Sequence, residues 1–442
     1  MRSTSRTGQC VACKSTPLCK PAGATGLENL GNTCFMNVVL QVLAHMLDLV
    51  TYLVSEFFRD DLNKRSPSGG DLAEEVAQVV AAVWSGKFRF VSPHRLRAAL
   101  SERRLDFGGM QPHDAHEFII LLLEWLHDDL NVAPGGAGGL VASPSSTAGG
   151  LPDHEAADRA WRQFRRANDS IIVRLFHGLQ KSSVLCAACG FESATFETFS
   201  VLSLPLPAGA GGSLDSLYHC LEQYIRGDLI KGWSCTQCHR RREVYKKLDL
   251  WRLPLTIIFH LKRFSFTGGL VRKVNGHVSF PLRDLDLSQL VIGPHPHSHG
   301  LVYDLCGVVE HHGSQQSGHY TAFCFNQPVA RWFFMNDKTV EETSTAIVKK
   351  ANAYMLCYTA REEDAERKMA EQAQKKREPA ALLQEEEAAL AKLACAASSK
   401  GTRSQVQQEM ELRQAAARPI AAIERPPAKG TRSQVQQEME LR

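Results

Sequence analysis

Two Cys-x-x-Cys pairs within residues 186–238 limit the folds open to this chain more than any other feature of its sequence. Cys186 and Cys189 form the first pair, and Cys235 and Cys238 form the second. Two such knuckles, each near a turn, supply the four thiolates of a tetrahedral zinc site. The intervening residues, 190–234, are too many for a compact zinc finger, so we expect an elongated β-ribbon pinched at one end by one structural zinc ion. The alternative is a ribbon that has lost its metal, and a catalytic zinc is disfavoured because four sulfurs leave no open position.

The rest of the composition indicates a reducing intracellular compartment. The chain has 13 cysteines, but no apolar segment of a signal peptide follows the basic N-terminus MRSTSRTGQC. Its most apolar run, residues 118–126, is interrupted by Glu124 and is too short to span a bilayer. The 51 basic and 47 acidic residues give a formal net charge of +4, which is too balanced to indicate nucleic acid or a membrane surface as a partner. We therefore expect a cytoplasmic or nuclear protein, and its oligomeric state stays open.

Hydrophobic periodicity divides the chain into a helical part and a β-rich part. Apolar residues recur three or four apart at 32–52, 71–84, 93–101 and 113–130. After about residue 170 the pattern changes to short runs rich in Val, Phe, Ile and Leu, from IIVRLF to AYMLCY, with Gly, Pro or charged turns between them. This order predicts an α+β fold, with helices first and antiparallel sheet second, rather than alternating βαβ units.

Three segments differ in amino-acid composition from the globular part. Residues 1–25 are polar, and their cysteines lack a nearby histidine or a fourth thiol, so we expect a disordered leader. Residues 133–150 consist mainly of small residues, Gly and Pro, which predicts a flexible insertion. Residues 362–442 form a charged tail, expected to be partly helical or disordered, in which KGTRSQVQQEMELR occurs at 400–413 and again at 429–442.

Cys34 is a candidate nucleophile because it lies where a predicted helix begins. Backbone N–H groups and the helix macrodipole at such a position favour a thiolate. The alternative is packing, since a free cysteine usually acts as a small buried hydrophobe, and Asn32 and Thr33 have an ordinary use as helix caps. A nucleophilic thiolate also requires a general base and a site for the oxyanion.

His319 is the candidate base. It follows Ser317-Gly318 and begins the predicted strand HYTAFCF, where a glycine permits close approach of a substrate. Asn336 and Asp337 follow the predicted strand RWFFM. Either side chain could hydrogen-bond the second imidazole nitrogen and fix its tautomer.

Asp114 and Glu117 lie in the first turn of the helix predicted from MQPHDAHEF. Capping and complementarity to the helix dipole explain both carboxylates without a function. Beside an active cleft, however, the same pair would suit a basic peptide.

Together these segments resemble the ubiquitin-specific protease family of cysteine deubiquitinases. GLENLGNTCFMN resembles the Cys box of the family, and MQPHDAHEF resembles its Gln-Asp-Ala-x-Glu-Phe block. EHHGSQQSGHYTAF and WFFMND resemble its His box and third-triad segment, and the paired CxxC motifs are similar to its zinc-bearing fingers. The segments occur in the order of the family, within residues 26–361.

The resemblance implies a papain-like hand. Its helical thumb, about residues 26–175, would carry Cys34. Zinc-ribbon β fingers would occupy about 176–250, and a β palm carrying His319 would occupy about 251–361.

The resemblance also implies a role for each matching residue. Cys34 would be the nucleophile, His319 the base and Asn336 the third triad member, with Asp337 as the alternative. The side chain of Asn29 would help to stabilise the oxyanion. Five positions would meet the arginine-bearing tail of the substrate: Asp114, Glu117, His113, Gly318 and Tyr320.

The activity implied is deubiquitination: hydrolysis of the isopeptide bond after the C-terminal Gly-Gly of ubiquitin through a thioester acyl-enzyme. The implied partners are ubiquitin and ubiquitinated proteins. One departure leaves two alternatives open, because Pro112 and His113 stand where the family usually has two glutamines. The chain could instead cleave another ubiquitin-like modifier, or it could be a non-catalytic ubiquitin-binding scaffold.

Overall fold

Helices dominate the first part of the chain, as the periodicity predicts. The computed structural model describes residues 21–134, 145–146, 151–206, 216–267, 270–294, 302–314 and 317–361, all of which lie in one unit, Met1–Glu366. The helices are α1 (Cys34–Leu43), α2 (Leu47–Val54), α3 (Asp71–Trp84), α4 (His94–Arg103), α5 (Ala115–Asp129), α6 (Asp153–Ala167), α7 (Ile171–Phe176), α8 (Leu217–Arg226) and α9 (Thr345–Val348).

Strands dominate the second part. They are β1 (Gly26–Leu27), β2 (Phe90–Val91), β3 (Ser145–Ser146), β4 (Gly178–Cys186), β5 (Glu192–Phe199), β6 (Val201–Leu204), β7 (Asp228–Cys235), β8 (Arg240–Arg252), β9 (Thr256–Leu261), β10 (Phe264–Thr267), β11 (Leu270–Lys273), β12 (Leu285–Asp286), β13 (Val302–Gly313), β14 (Gly318–Asn326), β15 (Arg331–Asn336), β16 (Thr339–Thr343) and β17 (Ala353–Ala360). The α+β fold class is therefore confirmed.

The larger sheet has the strand order β16-β15-β14-β13-β17-β9-β6, and β12 pairs with β13 at one side. Both of its faces are covered, because alternate residues of β17 enter different cores. Met355 and Cys357 pack with the helices α1 to α5, whereas Leu356 and Tyr358 pack in a second core with α8. Burial on both faces explains why β17 reads as a continuous apolar run.

A separate sheet with the order β3-β5-β4-β8-β7 forms the finger-like part. Its strands β4, β8 and β7 pair antiparallel, and Cys186 and Cys235 end β4 and β7. Both CxxC turns therefore lie at one end of this sheet, which is the geometry that the spacing of the cysteines predicts.

Three local features differ from the predictions. The predicted helix 32–52 is two helices, α1 and α2, that meet at an angle of 89°. The run IIVRLF, predicted as β-like, is helix α7. Its apolar residues are all buried, so the spacing of apolar residues does not distinguish a helix from a strand here. Ser170 Oγ caps the helix by accepting the N–H of Val173. Strand β6 pairs parallel with β9, since the whole of β7 and β8 lies between them in the chain and provides the long crossover that parallel pairing requires.

Most residues of the predicted leader, insertion and tail lie outside the described residues. Within the insertion, Ser145 and Ser146 are described, and they pair with Thr195 and Phe196 of β5.

Among the described residues, no single helix is long and apolar enough to cross a membrane. Only the bent pair Cys34–Leu43 and Leu47–Val54 passes that test of length and composition when its two helices are taken together.

Candidate active site

A tight turn places Cys34 at the first position of α1. Gly31 and Asn32 both have left-handed backbone angles, φ 99° and 52°. The Oδ1 atom of Asn29 accepts hydrogen bonds from the backbone N–H groups of Gly31 (3.0 Å) and Thr33 (3.1 Å). The positive φ of Gly31 favours glycine at this position, and the end of the flexible Met110 side chain lies where a β-carbon would be.

Neither candidate cap residue caps α1. Thr33 Oγ1 accepts the backbone N–H of Leu30 at 2.8 Å, within the turn itself. Asn32 Nδ2 donates to the carbonyl of Met110 at 2.7 Å. Both side chains therefore fix the turn and its contact with the residues that precede α5, and they leave the first N–H groups of α1 without a side-chain cap.

The Cys34 thiol is buried, and only 6% of the residue is exposed. Burial raises the pKa of this thiol, an effect opposed by the backbone N–H groups of Tyr320 and Phe35 and reinforced by the charge of Asp337. The position at a helix terminus predicts a thiolate, and this stays a prediction: the N–H groups there lower the pKa of the thiol, and desolvation, which raises it, is the larger effect. The N–H of Tyr320 also shows that the sulfur lies against β14, one residue beyond His319.

His319 and Asn336 are joined directly. Nε2 of His319 lies 2.7 Å from Oδ1 of Asn336. An amide oxygen only accepts, so Nε2 carries the proton and the neutral ring presents an unprotonated Nδ1. In the part of the chain that the structure describes, no hydrogen bond joins His319 to Cys34; such catalytic contacts commonly tighten when substrate binds.

Asp337 makes different contacts from Asn336. Its carboxylate accepts hydrogen bonds from Asn29 Nδ2 at 3.0 Å and Asn37 Nδ2 at 2.8 Å, and its carbonyl accepts the N–H of Leu27 at 2.8 Å. A left-handed φ of 46° turns the chain at this residue. Asp337 thus connects the end of β15 to the turn that precedes Cys34.

The carboxylates at the start of α5 already have partners. Asp114 caps the helix by accepting the N–H of His116 at 2.7 Å, and its other oxygen accepts the hydroxyl of Tyr354 at 2.5 Å. The side chain of Glu117 forms an ion pair with Arg104, 2.7 Å between Oε1 and Nη1.

The remaining predicted tail-binding residues lie near the same helix end or at the start of β14. The ring of His113 packs on Phe107, with centroids 4.7 Å apart, and its Nε2 lies 3.1 Å from the carbonyl of Asp106. Tyr320 is buried, and its hydroxyl accepts the N–H of Ala115 at 3.4 Å. Gly318 begins β14, where any β-carbon would clash with a ring nitrogen of His311.

The four predicted metal ligands lie together at the tip of the finger sheet. The sulfurs of Cys186, Cys189, Cys235 and Cys238 lie within 4.8 Å of one another. Zinc with bonds of about 2.3 Å to four sulfurs separates those sulfurs by roughly 3.8 Å, so the cluster fits a tetrahedral ion. Backbone N–H groups of Ala188 and Cys189 lower the pKa of Cys186 to about 7, whereas hydrogen bonds with the other thiols of the cluster raise the pKa of Cys238 to about 12. The cluster could hold a metal ion.

Known proteins are similar in sequence to this chain over most of its described length. A family profile described as "Ubiquitin carboxyl-terminal hydrolase" matches residues 25–358. Bovine ubiquitin carboxyl-terminal hydrolase 2 is 35% identical over 343 residues, which cover 76% of this chain and 55% of the bovine protein. Mouse ubiquitin carboxyl-terminal hydrolase 21 is 35% identical over 362 residues, covering 77% of this chain and 62% of that protein. The chain belongs to the ubiquitin carboxyl-terminal hydrolase family, and it spans between half and two thirds of these two relatives.

Solved structures show the same fold. A SAGA Ubp8/Sgf11/Sus1/Sgf73 DUB module bound to ubiquitin aldehyde contains a chain with a TM-score of 0.59 and 23% identity, covering 78% of this chain and 71% of that one. A yeast SAGA DUB module with a mutant Sgf73 gives a TM-score of 0.59 at 25% identity, covering 78% and 70%.

Several contacts of the site region were not indicated by the sequence. Arg97 donates from Nη1 to the carbonyl of Leu30 at 2.8 Å and from Nη2 to that of Gly109 at 2.7 Å. Asn37 and Tyr354 bind Asp337 and Asp114 across the interior of the protein. These contacts join segments distant in sequence, and no motif or spacing within one segment could have indicated them.

Proposed function

We propose that this chain is a deubiquitinating cysteine protease that hydrolyses the isopeptide bond after the C-terminal Gly-Gly of ubiquitin on protein conjugates. The observation that supports this most is the 2.7 Å hydrogen bond between His319 and Asn336. It orients an imidazole one residue before the backbone N–H that contacts the sulfur of Cys34. A nucleophile, a base and an orienting group are the three parts that acyl transfer by cysteine requires.

In the proposed reaction His319 Nδ1 removes the proton of Cys34, and the sulfur attacks the carbonyl of the terminal glycine. Because burial raises the pKa of the free thiol, this transfer would accompany substrate binding and closure of the Cys34–His319 contact. The imidazolium then protonates the leaving lysine amine, and water hydrolyses the thioester with His319 again as base.

Asn29 and the Cys34 backbone N–H are the proposed oxyanion donors. One N–H of the Asn29 amide is engaged by Asp337, and a primary amide has a second N–H to offer. Asn29 also holds the turn through its oxygen, so it would serve both to shape the site and to stabilise charge.

The substrate tail would lie between the start of α5 and the start of β14. Glu117 and Asp114 would supply negative charge there, with His113, Gly318 and Tyr320 around the channel. The substitution of Pro112-His113 for two glutamines favours a second candidate, a protease for another ubiquitin-like modifier. Higher activity on ubiquitin in a His113→Gln variant would support that candidate, whereas ubiquitin binding without turnover would support a non-catalytic scaffold.

We propose one zinc ion, bound by the four-cysteine cluster, as a structural element of the fingers. It would hold the two CxxC turns together and take no part in the chemistry. We further propose ubiquitin and ubiquitinated proteins as partners, a catalytic domain at residues 26–361, and a cytoplasmic or nuclear location.

Hydrolysis of ubiquitin that carries a fluorogenic amide at its C-terminus tests the proposal. The full chain should turn over this substrate, and Cys34→Ala should not, while both bind ubiquitin. Equal rates for the two proteins would overturn the proposed mechanism.

A further inference from the structure

The cation bound to Glu117 in this structure comes from the chain itself. Arg104 follows α4, and its guanidinium forks between Glu117 Oε1 at 2.7 Å and Asp106 Oδ2 at 3.0 Å. The guanidinium carbon also lies 5.2 Å from the centre of the Phe107 ring. Two carboxylates and an aromatic face together form a site for a planar cation, defined here as the cation site: Asp106, Phe107 and Glu117.

Both oxygens of the neighbouring carboxylate, Asp114, already accept hydrogen bonds from the chain. Asp114 uses one oxygen to cap α5 and the other to accept the hydroxyl of Tyr354. Removing it from these partners would cost both a helix cap and a partly buried hydrogen bond. A basic group approaching the start of α5 therefore meets the cation site first.

Arg104 can leave the cation site at small cost. Its side chain is 38% exposed and that of Glu117 is 49% exposed. Ion pairs this accessible contribute about 0–1 kcal/mol, since water solvates both partners when they separate. A guanidinium from another chain has the same shape and the same donors, so the two would compete for one site.

We propose that Arg104 is a specificity-determining residue: its guanidinium fills the cation site in the free protein, and an arginine of the substrate tail must displace it. The inference rests on the proposed function, in which that tail passes the start of α5. An arginine of the substrate tail gains a contact with Glu117 only when the protein gives up its own ion pair between Arg104 and Glu117. Arg104 thereby reduces the difference in binding affinity between arginine-bearing tails and neutral tails.

Steady-state kinetics of Arg104→Gln on the fluorogenic ubiquitin substrate test this. We expect KM to fall by about fivefold with kcat unchanged, which corresponds to about 1 kcal/mol. Arg95→Gln is the matched control, because Arg95 lies near the start of α4 and its exposed side chain forms an ion pair, with Glu75 at 2.6 Å. Arg104→Lys retains the charge but not the planar fork, so its KM should lie between that of Arg104→Gln and that of the wild type.

A substrate with citrulline in place of the tail arginines separates competition from a general effect on folding. With this substrate the KM of Arg104→Gln should equal that of the wild type. The fall in KM should also disappear when Glu117→Gln is combined with Arg104→Gln. A KM for Arg104→Gln that is unchanged or raised on the arginine-bearing substrate, in a protein that turns over, would overturn this inference alone. No turnover by the wild type would overturn the proposed function and the inference together.

Discussion

At the scale of single residues, one hydrogen bond distinguishes two adjacent polar side chains. By position either Asn336 or Asp337 could be the partner of His319, because both follow the same predicted strand, and only the family resemblance favoured Asn336. In the structure Asn336 contacts His319, and the left-handed backbone at Asp337 directs its carboxylate to Asn29 and Asn37. Side-chain direction at a strand end depends on the backbone angle there, which residue type alone does not determine.

Asn29 and Asn37 form a natural pair for testing the oxyanion role. Each donates one hydrogen bond to Asp337, at 3.0 and 2.8 Å. Asn29→Ala should lower kcat by about a hundredfold, the usual effect of removing an oxyanion donor. Asn37→Ala should lower the unfolding temperature by a similar amount but lower kcat far less. Rates measured alongside thermal unfolding distinguish the two, and equal losses of kcat would contradict the assignment of Asn29.

At the scale of elements, helix α4 holds the turn that precedes Cys34. Arg97 donates to the carbonyls of Leu30, Gly108 and Gly109, so it joins this turn to the segment before α5. Arg97→Ala should lower kcat by about tenfold with little change in KM. The substitution removes hydrogen bonds that shape the site but do not bind substrate. Partial recovery in Arg97→Lys would support positioning. An unchanged kcat would show that the turn is stable without Arg97.

The finger sheet should depend on its metal. We expect elemental analysis of the purified protein to find one zinc per chain, and Cys189→Ser to lower both the zinc content and the unfolding temperature. A matched control is Cys306→Ser, since Cys306 is buried in the main core away from the four-cysteine cluster. A full-length protein that contains no metal and unfolds at the same temperature with and without chelator would contradict the zinc assignment.

Sequence periodicity predicted α3, α4 and α5 closely, because each has one apolar face. It failed at α7, where the apolar residues are all buried, and at residues 32–52, where a bend of 89° interrupts a continuous apolar pattern. The motif segments identified the candidate nucleophile, base and metal ligands. They could not indicate that Arg104 binds Glu117 and that Tyr354 binds Asp114 at the start of α5, since those contacts depend on how separate elements pack.

At the scale of the whole molecule, buried histidines should make stability depend on pH. Burial lowers the pKa of His45 and His127 to about 4 and that of His177 to about 3. His127 is fixed as a neutral ring between Ser170 Oγ at 2.8 Å and Asn168 Oδ1 at 3.1 Å. In the unfolded chain these histidines bind protons near pH 6.5.

The direction of this dependence follows from proton binding. Between about pH 6.5 and 4 the unfolded state holds more protons than the folded state, so the free energy of unfolding falls as the pH falls. Denaturant titrations at pH 7.5, 6 and 5 measure the free energy of unfolding at each pH. His127→Gln should reduce the slope, whereas the exposed His94→Gln should leave it unchanged. A free energy of unfolding that is constant from pH 7.5 to 5 would contradict the account.

In the proposed reaction Cys34 attacks the carbonyl of the C-terminal glycine of ubiquitin. The most direct test of this step is incubation of the full chain with ubiquitin bearing a C-terminal electrophile, followed by intact-mass and peptide mass spectrometry. We expect one ubiquitin added per chain, attached at Cys34, with no adduct in Cys34→Ser and a slower reaction in His319→Ala. An adduct on another cysteine, or no adduct at all in a folded protein, would contradict this mechanism.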